Sequence, residues 1–305
     1  MKIIAVILLF AMLVLVCACS GGETSVDTQA DTTVADTTEA DTTEAPETKA
    51  PQKPDPIVKT EDKKTLLIRD AETRVFVDSN GFELPYRIYV PSDYSEDYAY
   101  PLVLYLHGAG VRGNDNKSQL EPASMQPFMD TSCPIYQSIM IVPHCPNDYQ
   151  WVDTRWDTGN YSTDEIPMSA AMSAVVELLD AMIEEFSINE DRQYVYGVSM
   201  GGYGTWDLIA RFPDRFAAAI PLCGAGDPSK AADLVDVHIQ TFHDVDDPIV
   251  PVSGTQEMVE AIRAAGGEKI FYTETSGYGH SITDITINQD DVSIIYTMFE
   301  QRRGK

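Results

Sequence analysis

Beyond about residue 64 the apolar positions fall into two patterns. Short runs such as 101–106 and 139–142 are continuously apolar, as strands covered on both faces are, while longer stretches repeat apolar residues at helical spacing. Two alternating segments, 74–77 and 84–90, flank Asp78-Ser79-Asn80-Gly81, and an Asn-Gly pair between alternating apolar residues predicts a hairpin. Further strands are expected at 193–196, 216–222, 239–243 and 270–273. Helices are expected over 168–186, 203–211, 255–265 and 292–301, the third closed by Gly266-Gly267. Strands alternating with helices imply right-handed crossovers and a mostly parallel sheet. The expectation is an α/β domain over residues 64–303, with an antiparallel N-terminal hairpin at the edge of its sheet and helices on both faces.

The N-terminal residues read differently. Met1-Lys2 and the apolar run from Ile3 to Val16 have the form of a secretory signal and are too short to span a bilayer comfortably. Small residues precede Cys19 in a lipobox-like setting, so residues 1–18 are expected to be a lipoprotein-type signal, with Cys19 lipidated and anchoring the protein outside the cytoplasmic membrane. Residues 19–63 are rich in Thr, Asp, Glu, Ala and Pro, with Ala-Asp-Thr-Thr recurring from Ala30, Ala35 and Ala40. Such a stretch cannot bury enough surface to offset its ordering entropy and is expected to be a disordered acidic linker.

Charge narrows the partners. The chain carries 48 acidic against 21 basic residues, nine and three of them before Ile57, which leaves −21 on the remainder. Nucleic acid is therefore a poor partner. Cys133, Cys145 and Cys223 are odd in number, so at least one is free. Cys133 and Cys145 are equally compatible with a disulfide and with buried thiols. None has metal-ligand spacing, and neither a metal nor an organic cofactor is expected.

The candidate chemistry lies in three segments. Gly197-Val198-Ser199-Met200-Gly201 stands where an apolar strand gives way to a helix, the setting of a nucleophile elbow. Upstream, strand 101–106 ends in His107-Gly108-Ala109-Gly110, where small residues let backbone N–H groups face a developing oxyanion. Downstream, Asp244, Asp246 and Asp247 follow one strand, and His280 follows another. Ser199, Asp247 and His280 run in the α/β-hydrolase order of nucleophile, acid and base. The backbone N–H groups of Ala109 and Met200 are the expected oxyanion donors. Trp151 and Trp156, in a polar stretch, are candidate substrate contacts, with a loop plugged by tryptophan as the other reading.

These segments, with Tyr100–Asn116 and His243-Asp244-Val245-Asp246-Asp247-Pro248, resemble bacterial esterases of the phospholipase/carboxylesterase and dienelactone-hydrolase-like branch of the α/β-hydrolases, often labelled predicted peptidases. Feruloyl and acetylxylan esterases and the catalytic domain of prolyl oligopeptidase are more distantly similar. The resemblance implies an α/β-hydrolase fold, a structural role for His107 and hydrolysis of small acyl or aryl esters, with acetyl or feruloyl esters of plant polysaccharide in that range. Its His-Gly-x-x-Asp-Pro pattern puts the acid at Asp247. Asp244 stands where the pattern has glycine, and Asp246 remains a rival. A prolyl-oligopeptidase-type peptidase and a non-catalytic binding module are the alternatives.

Overall fold

The computed structural model describes residues 70–121, 138–282 and 293–304. The signal, Cys19, the whole of the linker and Cys133 lie outside the described residues. Eight strands form one sheet: β1 (Glu72–Val77), β2 (Glu83–Tyr89), β3 (Tyr100–Leu106), β4 (Ile139–Pro143), β5 (Ile188–Val198), β6 (Ala218–Leu222), β7 (His238–Asp244) and β8 (Ile270–Thr275). Their order across the sheet is β1-β2-β4-β3-β5-β6-β7-β8. The first two strands are antiparallel to their neighbours, and β4 through β8 pair in parallel. This is the α/β-hydrolase arrangement, with the expected hairpin at one edge.

Alternation within β3 shows why its run reads as uniformly apolar. Leu102, Leu104 and Leu106 pack into one layer with helices α1 (Ala170–Glu185), α2 (Met200–Arg211) and α3 (Ser253–Ala264). Val103 and Tyr105 pack into the opposite layer with α4 (Ser293–Glu300), which contributes Ile295, Met298 and Phe299. Both faces of the sheet are therefore dry, so no polar alternation survives in its central strands.

Element ends follow local chemistry. Helix α1 begins after Ser169, whose side chain accepts the Met172 N–H while its hydroxyl donates to Trp151 O. Helix α3 ends at Gly266 with φ +97°, and the Gly267 N–H reaches back to Ile262 O. The hairpin turn bonds Gly81 N–H to Asp78 O with Gly81 at φ +83°. A 3₁₀ stretch at Pro228–Leu234, led by Asp227 capping Ser229, was not anticipated from apolar periodicity.

Candidate active site

Ser199 stands between β5 and α2 with φ 57° and ψ −119°, a conformation that turns its side chain away from both elements. The turn closes only because Gly201 lacks a side chain: a Cβ there would run into the Leu106 carbonyl. Helix α2 starts directly at Met200, three residues before the apolar periodicity becomes visible.

Three side chains from three loops meet at this turn. Ser199 Oγ lies 2.7 Å from His280 Nε2, and His280 Nδ1 lies 2.7 Å from Asp247 Oδ2. Because the carboxylate can only accept, Nδ1 carries the proton and Nε2 is left to accept from the serine hydroxyl. Burial pushes the Asp247 carboxyl up, but hydrogen bonds from His243, His280 and the Val250 and Ile249 N–H groups outweigh it and hold the acid well below the usual carboxylate range.

The other two aspartates do different work. Asp244 Oδ2 accepts the Thr275 hydroxyl and the Tyr278 N–H, while Asp246 Oδ2 accepts the Ser276 hydroxyl and the Gly277 N–H. Both hold the loop that presents His280, and it is Asp247 that the structure places against the imidazole. Asp244, at the pattern's glycine position, is thus bonded to the loop after β8.

Gly108 packs against Ser199, so that a Cβ at residue 108 would lie 3.6 Å from Ser199 Cβ. This seats the Ala109–Val111 turn over the elbow, with Met200 opening α2 beside it. Two buried histidines anchor that turn. His107 Nδ1 bonds Gly108 O and its Nε2 accepts the Cys145 N–H, while His144 Nε2 bonds Val111 O and its Nδ1 accepts the Asn116 N–H. Burial lowers His107 to about 3 and also lowers His144, so both rings stay neutral acceptors and donors.

Trp151 is corrected by the structure. It is completely buried, donates its indole N–H to His107 O and packs in the core, so it plugs the loop and cannot line a substrate site. Its apolar bulk overrides the polar segment around it. Trp156 is partly buried under the Arg112 guanidinium and lines an open cleft of about 520 Å³ with Gln150, Thr154, Arg155, Pro248 and Ile249. Pro248 and Ile249 directly follow Asp247, which puts the cleft on the acid side of the site.

Cys145 and Cys223 are free, buried thiols. Among the described residues, ligand atoms of Cys223, Asp247 and His280 lie within 4.8 Å of one another. The carboxylate and imidazole are already bonded to each other, and burial pushes the thiol up to about 12, so this group is a poor cation site.

Fold and site geometry together define an α/β-hydrolase. Residues 79–265 match the family described as "Putative esterase", and the chain belongs to that esterase family. A thermostable esterase of known crystal structure is 36% identical and superposes with a TM-score of 0.68 over 78% of this chain. The chain spans 64% of the length of that esterase. A ferulic acid esterase (17% identity, TM-score 0.51, 69% of this chain and 91% of that one) shares the fold. So does an acetyl xylan esterase from Aspergillus awamori (15%, 0.55, 75% and 99%). No curated protein matches the chain.

Proposed function

We propose that the protein is an exported serine carboxylesterase acting on small acyl or aryl esters. The observation that carries this reading is the unbroken row from Ser199 Oγ through His280 to Asp247, with both links at 2.7 Å. Ser199 attacks the ester carbonyl as His280 Nε2 takes its proton, and Asp247 stabilises the imidazolium that forms. The backbone N–H groups of Ala109 and Met200 receive the oxyanion, each contributing about 3–4 kcal/mol to the transition state. His280 then returns the proton to the departing alcohol, and water attacks the acyl-Ser199 by the same path.

The cleft beside Asp247 supports a bulky partner on one side of the ester. Trp156 and the exposed Ile249 and Pro248 offer apolar surface, and Gln150, Thr154 and the Arg155–Asp157 ion pair offer polar groups around it. That combination suits an aryl group or a sugar, and so acetyl or feruloyl esters carried on polysaccharide. The lipobox-like setting of Cys19 supports tethering outside the membrane.

Turnover of acetyl, butyryl, octanoyl and feruloyl esters by the purified protein, compared with a peptidyl amide, tests the reading. Ester hydrolysis is expected to exceed amide hydrolysis at matched leaving group, and Ser199→Ala to cost about 10⁴-fold or more in kcat. Faster amide cleavage would instead support a peptidase.

A further inference from the structure

The acid of the triad carries a second imidazole. His243, next to last in β7, has its side chain fully buried, and its Nε2 lies 3.2 Å from Asp247 Oδ2, the same oxygen that faces His280. The same Nε2 lies 3.1 Å from Val250 O. Both neighbours are acceptors, so Nε2 must bear its hydrogen; a bare lone pair there would face two oxygens in a dry interior. On the far side of the ring, Nδ1 lies 2.8 Å from Thr255 Oγ1 on α3, whose hydroxyl is 2.8 Å from Gly224 O.

The two histidines that share this oxygen are mounted differently. His280 sits on a partly exposed loop next to Gly279 at φ +59°, with Gly277 at φ +89° just before it. His243 stands on β7, a strand paired on both sides, and is pinned through Thr255 to a helix. Asp247 Oδ1 is held by the Ile249 and Val250 N–H groups at 2.8 and 3.0 Å. Without His243, the position of Oδ2 would depend on the one side chain that must change protonation state in every cycle.

We infer that His243 is a positioning residue for the reaction: its Nε2–H fixes Asp247 Oδ2 and takes up part of the negative charge that His280 would otherwise meet in full. This rests on reading Ser199, His280 and Asp247 as a triad. Asp247, with Cys223 near it, meets the ring at Nε2, Glu274 on β8 is the register partner of His243, and α3 presents the neutral Thr255 hydroxyl. Removing the Nε2–H leaves Asp247 more strongly negative towards His280, so the proton taken from Ser199 is held harder and the acid limb of activity moves to higher pH.

The test uses His243→Leu, which removes the donor, and His243→Gln, whose amide N–H can take its place. Both are read in the full-length protein by the rate of fluorophosphonate labelling at Ser199 and by the pH profile of aryl-ester kcat/KM. The Leu variant is expected to label and turn over about ten- to a hundredfold more slowly, by analogy with outer partners of ligating histidines. The loss should fall on kcat rather than KM, with the acid limb displaced upward, and Gln should recover most of it. Thr255→Val, which unpins the ring without removing it, gives a smaller loss in the same direction and serves if Leu does not fold. A folded variant with wild-type labelling and an unmoved acid limb overturns the inference, as does a folded Gln variant as slow as Leu. If the wild type labels at Ser199 but cleaves no ester, only the esterase reading fails and the labelling rates still decide. If Ser199 does not label at all, both readings fall.

Discussion

Asp247 shows how a buried carboxylate keeps its charge: four hydrogen-bond donors converge on its two oxygens, and together they outweigh the cost of burial. The acid therefore stays ionised well below neutral pH, and activity lost on mild acidification does not report Asp247. Asp247→Asn keeps the shape but puts an amide where the carboxylate accepts from Nδ1–H, so kcat is expected to fall by about 10⁴-fold, read with an aryl ester at saturating substrate. The buried histidines add to the same pH dependence by staying neutral rather than charged. His107 and His238 are lowered from 6.5 to about 3 and about 4, and His144 is lowered as well, each first by burial. Below pH 6.5 the unfolded chain takes up protons that the folded chain refuses. Stability is therefore complete above pH 6.5 and declines as pH falls towards 4, by about 1.4 kcal/mol per pH unit for each histidine kept neutral. Denaturant midpoints measured from pH 7.5 to 4.5 should show this slope, and His107→Asn should flatten it. At this scale the sequence made Ser199, Asp247 and His280 legible through their order and flanking glycines. The His-Gly-x-x-Asp-Pro pattern put His243 four residues before the acid but did not show that its ring meets Asp247, because spacing along a chain does not record how a loop folds back.

At the scale of elements, the elbow and the loop after β8 are held by unlike means. The elbow depends on close packing: Gly201→Ala would push a methyl into the Leu106 carbonyl and is expected to cost about 3 kcal/mol in denaturant unfolding. The loop depends on charge, since beyond the last ladder contact at Thr275 the carboxylates of Asp244 and Asp246 take the hydrogen bonds of residues 275–278. The double variant Asp244→Ala/Asp246→Ala should keep its fold, because it leaves the packed layers untouched, yet lose about ten- to a hundredfold in kcat as His280 drifts from register. Unchanged kcat in that variant would show that the loop holds itself. Strand and helix positions were readable from periodicity to within a few residues, since α1, α3 and β3 each bury a regular face. The polar stretch left Trp151 between a substrate contact and a loop plug, and the plug is what folds, while the roles of Asp244 and Asp246 were not readable because nothing local shows that they latch a distant loop.

For the whole molecule, the sheet order depends on how crossovers return, which no local pattern records: β4 inserts between β2 and β3, and only β2 runs against the rest. Class and parallelism followed from strand–helix alternation, and the order followed from packing both faces. Net charge acts at this scale too. With −21 beyond residue 56, the protein should pass unretained through a heparin column at low salt; retention would reveal a basic face hidden by the total. The central claim concerns one row of atoms, and it is met most directly by mapping a fluorophosphonate adduct by peptide mass spectrometry. The account predicts one adduct, on Ser199, absent from Ser199→Ala and slowed by at least about a thousandfold in His280→Ala. An adduct on another residue, or labelling indifferent to His280, would contradict it.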